Sequence, residues 1–135
     1  MPNRTLRQVV EGQTLISAPA DTTVRAAAIT MAGHKIGAIV VVDDQGRLAG
    51  LFTERDVLNR VVAQGLDPDS TRLSAVMTAD LQTASPDKPL AHALHMMFEG
   101  GFRHVPVVED GRPIGMVSAR NALGLEIRQF EKELE

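Results

Sequence analysis

The chain has 135 residues, a length that suits one compact domain with a sizeable core. Its apolar share of 44% can fill that core, while an aromatic share of 3% and a net charge of -3 argue against nucleic acid as a partner. Cysteine is absent, which excludes disulfides, thiolate metal sites and a cysteine nucleophile. The N-terminus MPNRTLRQVV lacks the apolar stretch of a signal peptide, and no apolar run reaches the ~18 residues that span a bilayer. We therefore expect a cytoplasmic protein that has neither a membrane nor nucleic acid as a partner.

The two halves of the sequence repeat one another. When the second half is laid on the first, Ala84 falls on Ala18 and Gly115 falls on Gly50, with one extra residue in the first half near Gln45. The stretch GLFTERDVL, which begins at Gly50, returns as GMVSARNAL from Gly115. Because two copies are too few for a solenoid array, we expect two copies of one supersecondary unit.

Each copy has the same predicted order of strand, helix, strand, strand and helix. The first copy is predicted to have a strand at about 14–17, a helix at 23–33, the hairpin GAIVVVDDQGRLAGLF and a helix opened by Thr53. The second copy is predicted to have a strand at about 81–84, a helix at 89–99, the hairpin RHVPVVEDGRPIGMV and a helix at 119–134 opened by Ser118. The continuous apolar run IVVV favours a strand that is buried on both faces.

The polar, turn-rich stretch QGLDPDSTRL separates the copies. We therefore assign residues 1–66 to an N-terminal segment and the first copy, 67–76 to a linker, and 77–135 to the second copy with the C-terminal helix. Apolar residues on that last helix form a possible partner-facing stripe, which consists of Leu123, Ile127 and Phe130.

Thr53 and Asp56 have a structural and a functional interpretation. In the structural one, the Thr53 oxygen caps the helix and the Asp56 charge lies in its first turn, where the helix dipole favours it. In the functional one, the helix N-terminus and the Thr53 hydroxyl face a phosphate, and the carboxylate accepts from both hydroxyls of a ribose. The two interpretations are compatible, and the recurrence of the pattern in a fixed frame favours the second. Ser118 and Asn121 occupy the matching positions without the charge.

The order and spacing of these features resemble a tandem pair of CBS domains, also called a Bateman module. The resemblance covers about Leu6 to Glu131 and rests on DTTVRAAAITMAGHKIGAIVVVDDQGRLAGLFTERDVL and on VMTADLQTASPDKPLAHALHMMFEGGFRHVPVVEDGRPIGMVS. It implies an α+β fold of two β-α-β-β-α repeats that are related by a pseudo-two-fold axis. The chain is similar to the small bacterial form in which the pair is the whole protein, and the family's habit of stacking pairs implies a homodimer.

The resemblance also implies a regulatory adenosyl ligand, which would be AMP, ADP, ATP, NAD or S-adenosylmethionine, in a cleft between the repeats. The family's ribose carboxylate falls on Asp56 and its phosphate-facing hydroxyl on Thr53. The implied base and rim positions are Gly37, Ala38, Thr83, Ala84, Arg103 and His104. The second cleft would use Ser118, Asn121, Ser17 and Ala18. We expect this second cleft to be weak or empty, because Asn121 replaces the usual aspartate and loses both charge and bidentate acceptance.

Other polar residues leave alternatives open. Arg103 and His104 either flank a solvated strand edge or contact phosphate, since arginine can fork onto phosphate oxygens. His92 and His95 lie close together on one predicted helix, which could begin a metal site, but no third ligand is evident and exposed histidines are the better interpretation. Paired acids at Asp43-Asp44 and Glu109-Asp110 fall in hairpin turns.

No motif for a phosphate-binding loop, a nucleophile elbow or a metalloprotease occurs in the sequence. We therefore expect no enzymatic activity and no obligatory cofactor or metal. The leading hypothesis is a nucleotide-sensing regulatory module that signals to a partner protein and has a role in energy sensing. The second hypothesis is a dimeric interaction module that needs no ligand, in which Thr53 and Asp56 only cap a helix.

Overall fold

The computed structural model describes residues 4–122 and 132–134, and the side chain of Asn121 lies outside this description. The predicted stripe Leu123, Ile127 and Phe130 also lies outside the described residues. The described helices are α1 (Leu6–Val10), α2 (Val24–His34), α3 (Glu54–Asp56), α4 (Leu73–Val76), α5 (Leu90–Gly100) and α6 (Ala119–Ala122). The described strands are β1 (Ser17–Pro19), β2 (Ala38–Val42), β3 (Leu48–Thr53), β4 (His104–Glu109) and β5 (Arg112–Ser118).

The described chain divides into two compact units. One unit comprises Leu15–Leu81 together with Gly111–Pro113, and we call it the Asp56 unit. The other comprises Gln82–Asp110 with the residues before Leu15 and those from Ile114 onward, and we call it the Ser118 unit. The sequence-based division at 66 and 77 follows the repeats, whereas these units follow the packing.

The Asp56 unit has a three-stranded sheet in the order β1-β2-β3. Strand β1 is parallel to β2, with Ala18 opposite Val41, and β2 is antiparallel to β3, with Ala38 opposite Thr53. Consecutive residues Ile39, Val40 and Val41 are at most 1% exposed and Val42 is half-buried, which confirms for three of the four residues that the apolar run is covered on both faces.

The Ser118 unit repeats this plan with fewer strand residues. Strands β4 and β5 form a two-stranded sheet, and Ala84 makes a parallel bridge to Val107. This bridge is the counterpart of the Ala18–Val41 pair in the alignment of the two halves, so the repeat seen in the sequence is also a repeat of register. The strand predicted at 81–84 is reduced to this single bridge, and the strand predicted at 14–17 is found at Ser17–Pro19.

Helices α2 and α5 begin within one residue of their predicted starts. Thr23 caps α2 by accepting a hydrogen bond from the Ala26 N–H at 3.2 Å, and Pro89 precedes α5. Each helix turns an apolar stripe to the core of its own unit. The stripes are Val24, Ala27 and Met31 on α2, and Leu90, Ala93 and Met97 on α5.

Two short helices that sequence reasoning missed complete the cores. Helix α1 precedes the first repeat but places Leu6 and Val10 in the core of the Ser118 unit. Helix α4, inside the predicted linker, places Leu73 and Val76 in the core of the Asp56 unit. We call α1 and α4 the lead-in helices, since each precedes one repeat in the sequence.

The lead-in helices occupy equivalent positions in the two units. The N–H of Leu73 donates to the Thr22 carbonyl at 2.9 Å, and the N–H of Leu6 donates to the Lys88 carbonyl at 2.8 Å. These acceptors precede α2 and α5 by the same distance in the sequence. The repeated unit of the structure therefore includes a helix that the sequence analysis left out.

Candidate ligand site

Thr53 and Asp56 form a reciprocal capping box where β3 turns into α3. The Asp56 N–H donates to the Thr53 hydroxyl oxygen at 3.1 Å, and the Thr53 N–H donates to Asp56 Oδ2 at 3.0 Å. Each side chain satisfies a backbone donor that the start of a helix would leave unpaired. The structural interpretation of these residues is confirmed, and it leaves the functional one open.

Asp56 is 7% exposed. Among the residues that the structure describes, it is the only polar or charged one that is buried. Its second oxygen, Oδ1, lies 3.5 Å from Nε of Arg60, one helical turn later. The Arg60 guanidinium also donates through Nη1 to the carbonyls of Val76 and Met77, at 3.2 and 3.1 Å. Sequence reasoning missed Arg60, although its i,i+4 spacing from an acid was a usable signal.

A π-helical segment, Val57–Val62, continues α3 directly after Asp56 and contains Arg60. Such segments are rare and often occur at functional sites. Val61 from this segment is buried in the core of the Asp56 unit. Its packing fixes the helical turn that carries Asp56 and Arg60.

The Asp56 carboxylate retains unused acceptor capacity. A carboxylate offers about four lone-pair sites. Thr53 N–H occupies one of these sites, and Arg60 Nε faces Oδ1 at 3.5 Å, which is longer than an ordinary hydrogen bond. The carboxylate can therefore accept further donors while it caps the helix.

Gly37 and Ala38 lie beside this capping box. The Gly37 carbonyl accepts a hydrogen bond from the Glu54 N–H at 2.9 Å, and Ala38 pairs with Thr53 across β2 and β3. The structure thus brings Gly37, Ala38, Thr53 and Asp56 together at one end of the β2–β3 hairpin.

The matching end of the β4–β5 hairpin carries the equivalent residues of the second repeat. The Arg103 carbonyl accepts from the Ala119 N–H at 3.0 Å, as Gly37 does from Glu54. Ser118 ends β5, and the backbone of Asn121 lies in α6. Arg103 is exposed and His104 is half-buried. The predicted residues Thr83, Ala84, Arg103 and His104 belong to the Ser118 unit, and Ser17 and Ala18 belong to the Asp56 unit.

Asp43 and Glu109, one acid from each predicted hairpin turn, have partners that account for them. Asp43 Oδ1 accepts from the N–H groups of Gln45 and Arg47, each at 2.9 Å. These hydrogen bonds, with that from Arg47 foremost, hold the pKa of Asp43 below its ordinary value. In the other hairpin, the Arg7 guanidinium donates to Glu109 at 2.5 Å and lowers the pKa of that carboxyl group. These geometries explain the acids as turn and surface groups.

The histidines do not assemble into a metal site in the part of the chain that the structure describes. His34, His92 and His95 are exposed, and His95 Nε2 lies 3.7 Å from a carboxylate oxygen of Glu99 on the same helix. No group of three or more potential ligands occurs among residues 4–122 and 132–134. Within those residues, no helix has the length and apolar character that crossing a membrane requires.

The described fold defines a class of protein: two repeats of strand, helix, two-stranded hairpin and closing helix, in which the first strand of the second repeat is reduced to a single bridge. The model of the CBS domain family matches the chain twice, at residues 7–63 and 73–127. The chain therefore belongs to the CBS domain family and contains two CBS domains.

Curated relatives carry the same domains in longer chains. The CBS domain-containing protein CBSX3, mitochondrial, of Arabidopsis thaliana is 36% identical over 85% of this chain. The protein CBSCBSPB3 of the same organism is 38% identical over 89% of this chain. The chain spans 58% of the first relative and 22% of the second, so it covers only part of their length.

Solved structures agree in fold. The CBS-domain containing protein ATU1752 from Agrobacterium tumefaciens is 31% identical, with a TM-score of 0.81 over 90% of this chain and 92% of its own. The CBS domain pair of protein MJ0100 is 26% identical, with a TM-score of 0.84 over 95% of this chain and 99% of its own. The latter structure is a complex with 5′-methylthioadenosine and S-adenosyl-L-methionine.

Proposed function

We propose that the chain is a non-catalytic regulatory module that binds an adenosyl ligand at Asp56 and signals its presence to a partner protein. The observation that carries this proposal is the buried carboxylate, which caps a helix and still has acceptor sites to spare. The adenosyl compounds in the complex of the MJ0100 pair support the ligand class, since AMP, ADP, ATP, NAD and S-adenosylmethionine share adenosine with them.

Each residue of the site would have a distinct task. Asp56 would accept from the two ribose hydroxyls, because a carboxylate has two acceptor oxygens. Thr53 accepts from the Asp56 N–H, so its own hydroxyl proton is available for a phosphate oxygen. Gly37 and Ala38 would contact the adenine, since no bulky side chain stands at either position. The contributions of Thr83, Ala84, Arg103 and His104 remain predictions from the family resemblance.

The second predicted site consists of Ser118, Asn121, Ser17 and Ala18. An asparagine amide presents one oxygen without charge, so it holds two hydroxyl donors less well than a carboxylate does. We propose that this site binds adenosyl ligands more weakly than the Asp56 site. An Asn121→Asp variant should then gain affinity there, which a second binding event in calorimetry would reveal.

We also propose that two copies of the chain associate through apolar helix faces. In the Asp56 unit, an open groove between α2 and the π-helical segment is lined mainly by apolar side chains. Three of them, Ile29, Val62 and Leu66, are 66%, 65% and 42% exposed. Large exposed apolar residues that cluster in this way mark interaction surfaces. Our proposal is therefore a cytoplasmic homodimer that has a role in energy sensing.

The decisive test is thermal unfolding of ligand-free protein against AMP, ADP, ATP, NAD and S-adenosylmethionine. A ligand at 100 times its dissociation constant should stabilise the protein by about 2.7 kcal/mol. Asp56→Ala should abolish the ligand-induced rise in melting temperature. Asp44→Ala, which removes an exposed turn carboxylate, is the matched control and should keep it. A folded protein that none of the five ligands stabilises would refute the adenosyl proposal.

The capping box favours a second candidate, a ligand-independent dimeric interaction module. In that case Asp56→Ala should lower stability by about 0.5 to 1 kcal/mol through the lost interaction with the helix start, with no effect on ligands. Asp56→Asn separates the two candidates, since the amide oxygen can still accept from Thr53 N–H. The capping candidate predicts a smaller loss of stability for this variant than for Asp56→Ala and no change in ligand affinity, because the cap is kept and only the charge is lost. The sensing candidate predicts a loss of affinity for adenosyl ligands.

A further inference from the structure

Arg60 connects two parts of the Asp56 unit that are distant in the sequence. On one side, its Nε faces Oδ1 of Asp56, one helical turn earlier, at 3.5 Å. On the other side, its Nη1 donates to the carbonyls of Val76 and Met77, where helix α4 ends. Val76 is the last residue of α4 and Met77 is its C-cap, so neither carbonyl has a partner within the helix.

The end of α4 is in turn fastened to strand β3. Thr78 and Leu51 exchange two backbone hydrogen bonds, each of 2.9 Å. Met77 packs so close to Gly50 that a β-carbon there would lie 2.6 Å from its sulfur. The segment that Arg60 contacts is therefore held in place, and it can serve as a fixed support for the guanidinium.

The planar guanidinium suits this arrangement. It presents five donors in a rigid fork, so it can face a carboxylate and two carbonyls simultaneously. The Arg60 side chain is 48% exposed, while the side chain of Asp56 is 11% exposed. Thr53 N–H holds Oδ2, and Arg60 Nε faces the remaining oxygen, Oδ1, at 3.5 Å.

We propose that Arg60 is a positioning residue: it braces the Asp56 carboxylate against the end of α4, so that Oδ1 is aimed to accept from ribose hydroxyls. This inference rests on the proposed function, and it adds a physical link between ribose recognition and the helix that leads into the second repeat. By linkage, a change in the anchoring of α4 changes the affinity for ribose, and bound ribose changes the anchoring of α4.

The first measurement needs no ligand. Backbone hydrogen exchange at the Thr78 amide reports how often the end of α4 opens. Arg60→Met keeps an extended apolar stem but removes the donors, and it should speed this exchange about tenfold, the effect of one charge-assisted hydrogen bond. Arg55→Met changes an exposed arginine next to Asp56 in α3; it is the matched control and should leave the rate unchanged. An unchanged rate in Arg60→Met would overturn the bracing.

The second measurement isolates the ribose. NMR titrations with adenosine and with 2′,3′-dideoxyadenosine give the ratio of their dissociation constants, in which effects on the base cancel. Asp56→Ala should bring this ratio close to one, and Arg60→Met should lower it about tenfold, while Arg55→Met should preserve it. If Arg60→Met weakens both compounds equally, the residue is merely structural and the inference fails.

The outcomes distinguish this inference from the proposed function. A protein that binds neither compound, or an Asp56→Ala variant with an unchanged ratio, defeats the proposed function, and with it the ribose role of Arg60. A ratio that depends on Asp56 but not on Arg60 defeats the inference alone. If Arg60→Met does not fold, Arg60→Lys replaces it. A lysine ammonium can reach one of the two sides but lacks the fork, so we then expect the same changes at reduced size.

Discussion

Gly50 and Gly115 lie at equivalent positions of the two repeats, and each leaves space beside a lead-in helix that a side chain would fill. Replacing each glycine with alanine tests how tightly that helix is held. A β-carbon at Gly115 would lie 2.4 Å from Cβ of Val10 and 2.6 and 2.8 Å from its methyl carbons. A β-carbon at Gly50 would lie 2.6 Å from the sulfur of Met77 and 3.0 Å from the Thr78 carbonyl oxygen. These distances are far inside the ~3.5–4.0 Å of ordinary contact between carbon atoms.

The two clashes differ in what can move. At Gly115 the nearest atom is a β-carbon, which moves only if α1 moves, whereas at Gly50 it is the far part of a flexible methionine. Overpacking of a core costs about 1–3 kcal/mol. We place Gly115→Ala near the upper end and Gly50→Ala near the lower end. For a chain of this size, the melting temperature should fall by about 12 °C and about 4 °C, respectively.

A double-mutant cycle checks this reasoning. Met77→Ala removes the sulfur and Cγ that lie nearest to Gly50 but leaves the Thr78 carbonyl oxygen at 3.0 Å, so we expect it to relieve more than half of the cost of Gly50→Ala. Val10→Ala leaves the β-carbon at 2.4 Å, so it should relieve the cost of Gly115→Ala by less than about 0.5 kcal/mol. Urea unfolding followed by circular dichroism suits the protein, which has no Trp or Tyr for fluorescence. Substantial relief of Gly115→Ala by Val10→Ala would refute our account of a helix held by its backbone.

Further predictions concern the core, the cap and the surface charges. Phe52→Ala should lower the free energy of unfolding by about 3–5 kcal/mol, because Phe52 is 0% exposed. Phe98→Ala should lower it by less than about 0.5 kcal/mol in the same unfolding assay, because Phe98 is 85% exposed. Thr53→Val should lower the free energy of unfolding by about 0.5–2 kcal/mol, because the Asp56 N–H loses its acceptor. Thr53→Ser keeps a hydroxyl oxygen and should retain most of the stability. Arg7→Gln should raise the pKa of Glu109 towards its ordinary 4.5 in an NMR titration, because the hydrogen bond from Arg7 is the main cause of the lowered value. Since folding lowers that pKa, its contribution to stability is present above pH 4.5 and is lost as the pH falls through the folded value, and added salt should weaken it.

The sequence predicts well whatever is encoded locally. The caps and stripes of α2 and α5 lie within a few residues of one another, and both helices begin within one residue of the prediction. The two hairpins carry their own turn chemistry, with Gly46 and Gly111 at positive φ. The capping box of Thr53 and Asp56 was also readable, because its partners are close neighbours in the sequence.

Features that depend on partners distant in the sequence could not be predicted from the sequence. Helices α1 and α4 have five and four residues, too few to be stable alone, and their stability comes from apolar side chains packed into cores built by remote residues. The first strand of each repeat is short, and its extent depends on pairing with a strand that follows only after a complete intervening helix. For the same reason Leu73, which is fully buried, was placed in a linker.

The lead-in helices connect this limit of prediction to the candidate site. The family model assigns residues 73–127 to the second CBS domain, yet α4 at the start of that range packs in the core of the Asp56 unit. Gly50 makes room for the residue after α4, and Arg60 binds the carbonyls at its end and faces Asp56. A chain segment that belongs to one domain by sequence thus supports the carboxylate of the other. Under the proposed function, a change at the start of the second domain should consequently alter the affinity of Asp56 for ribose without any contact to the ligand.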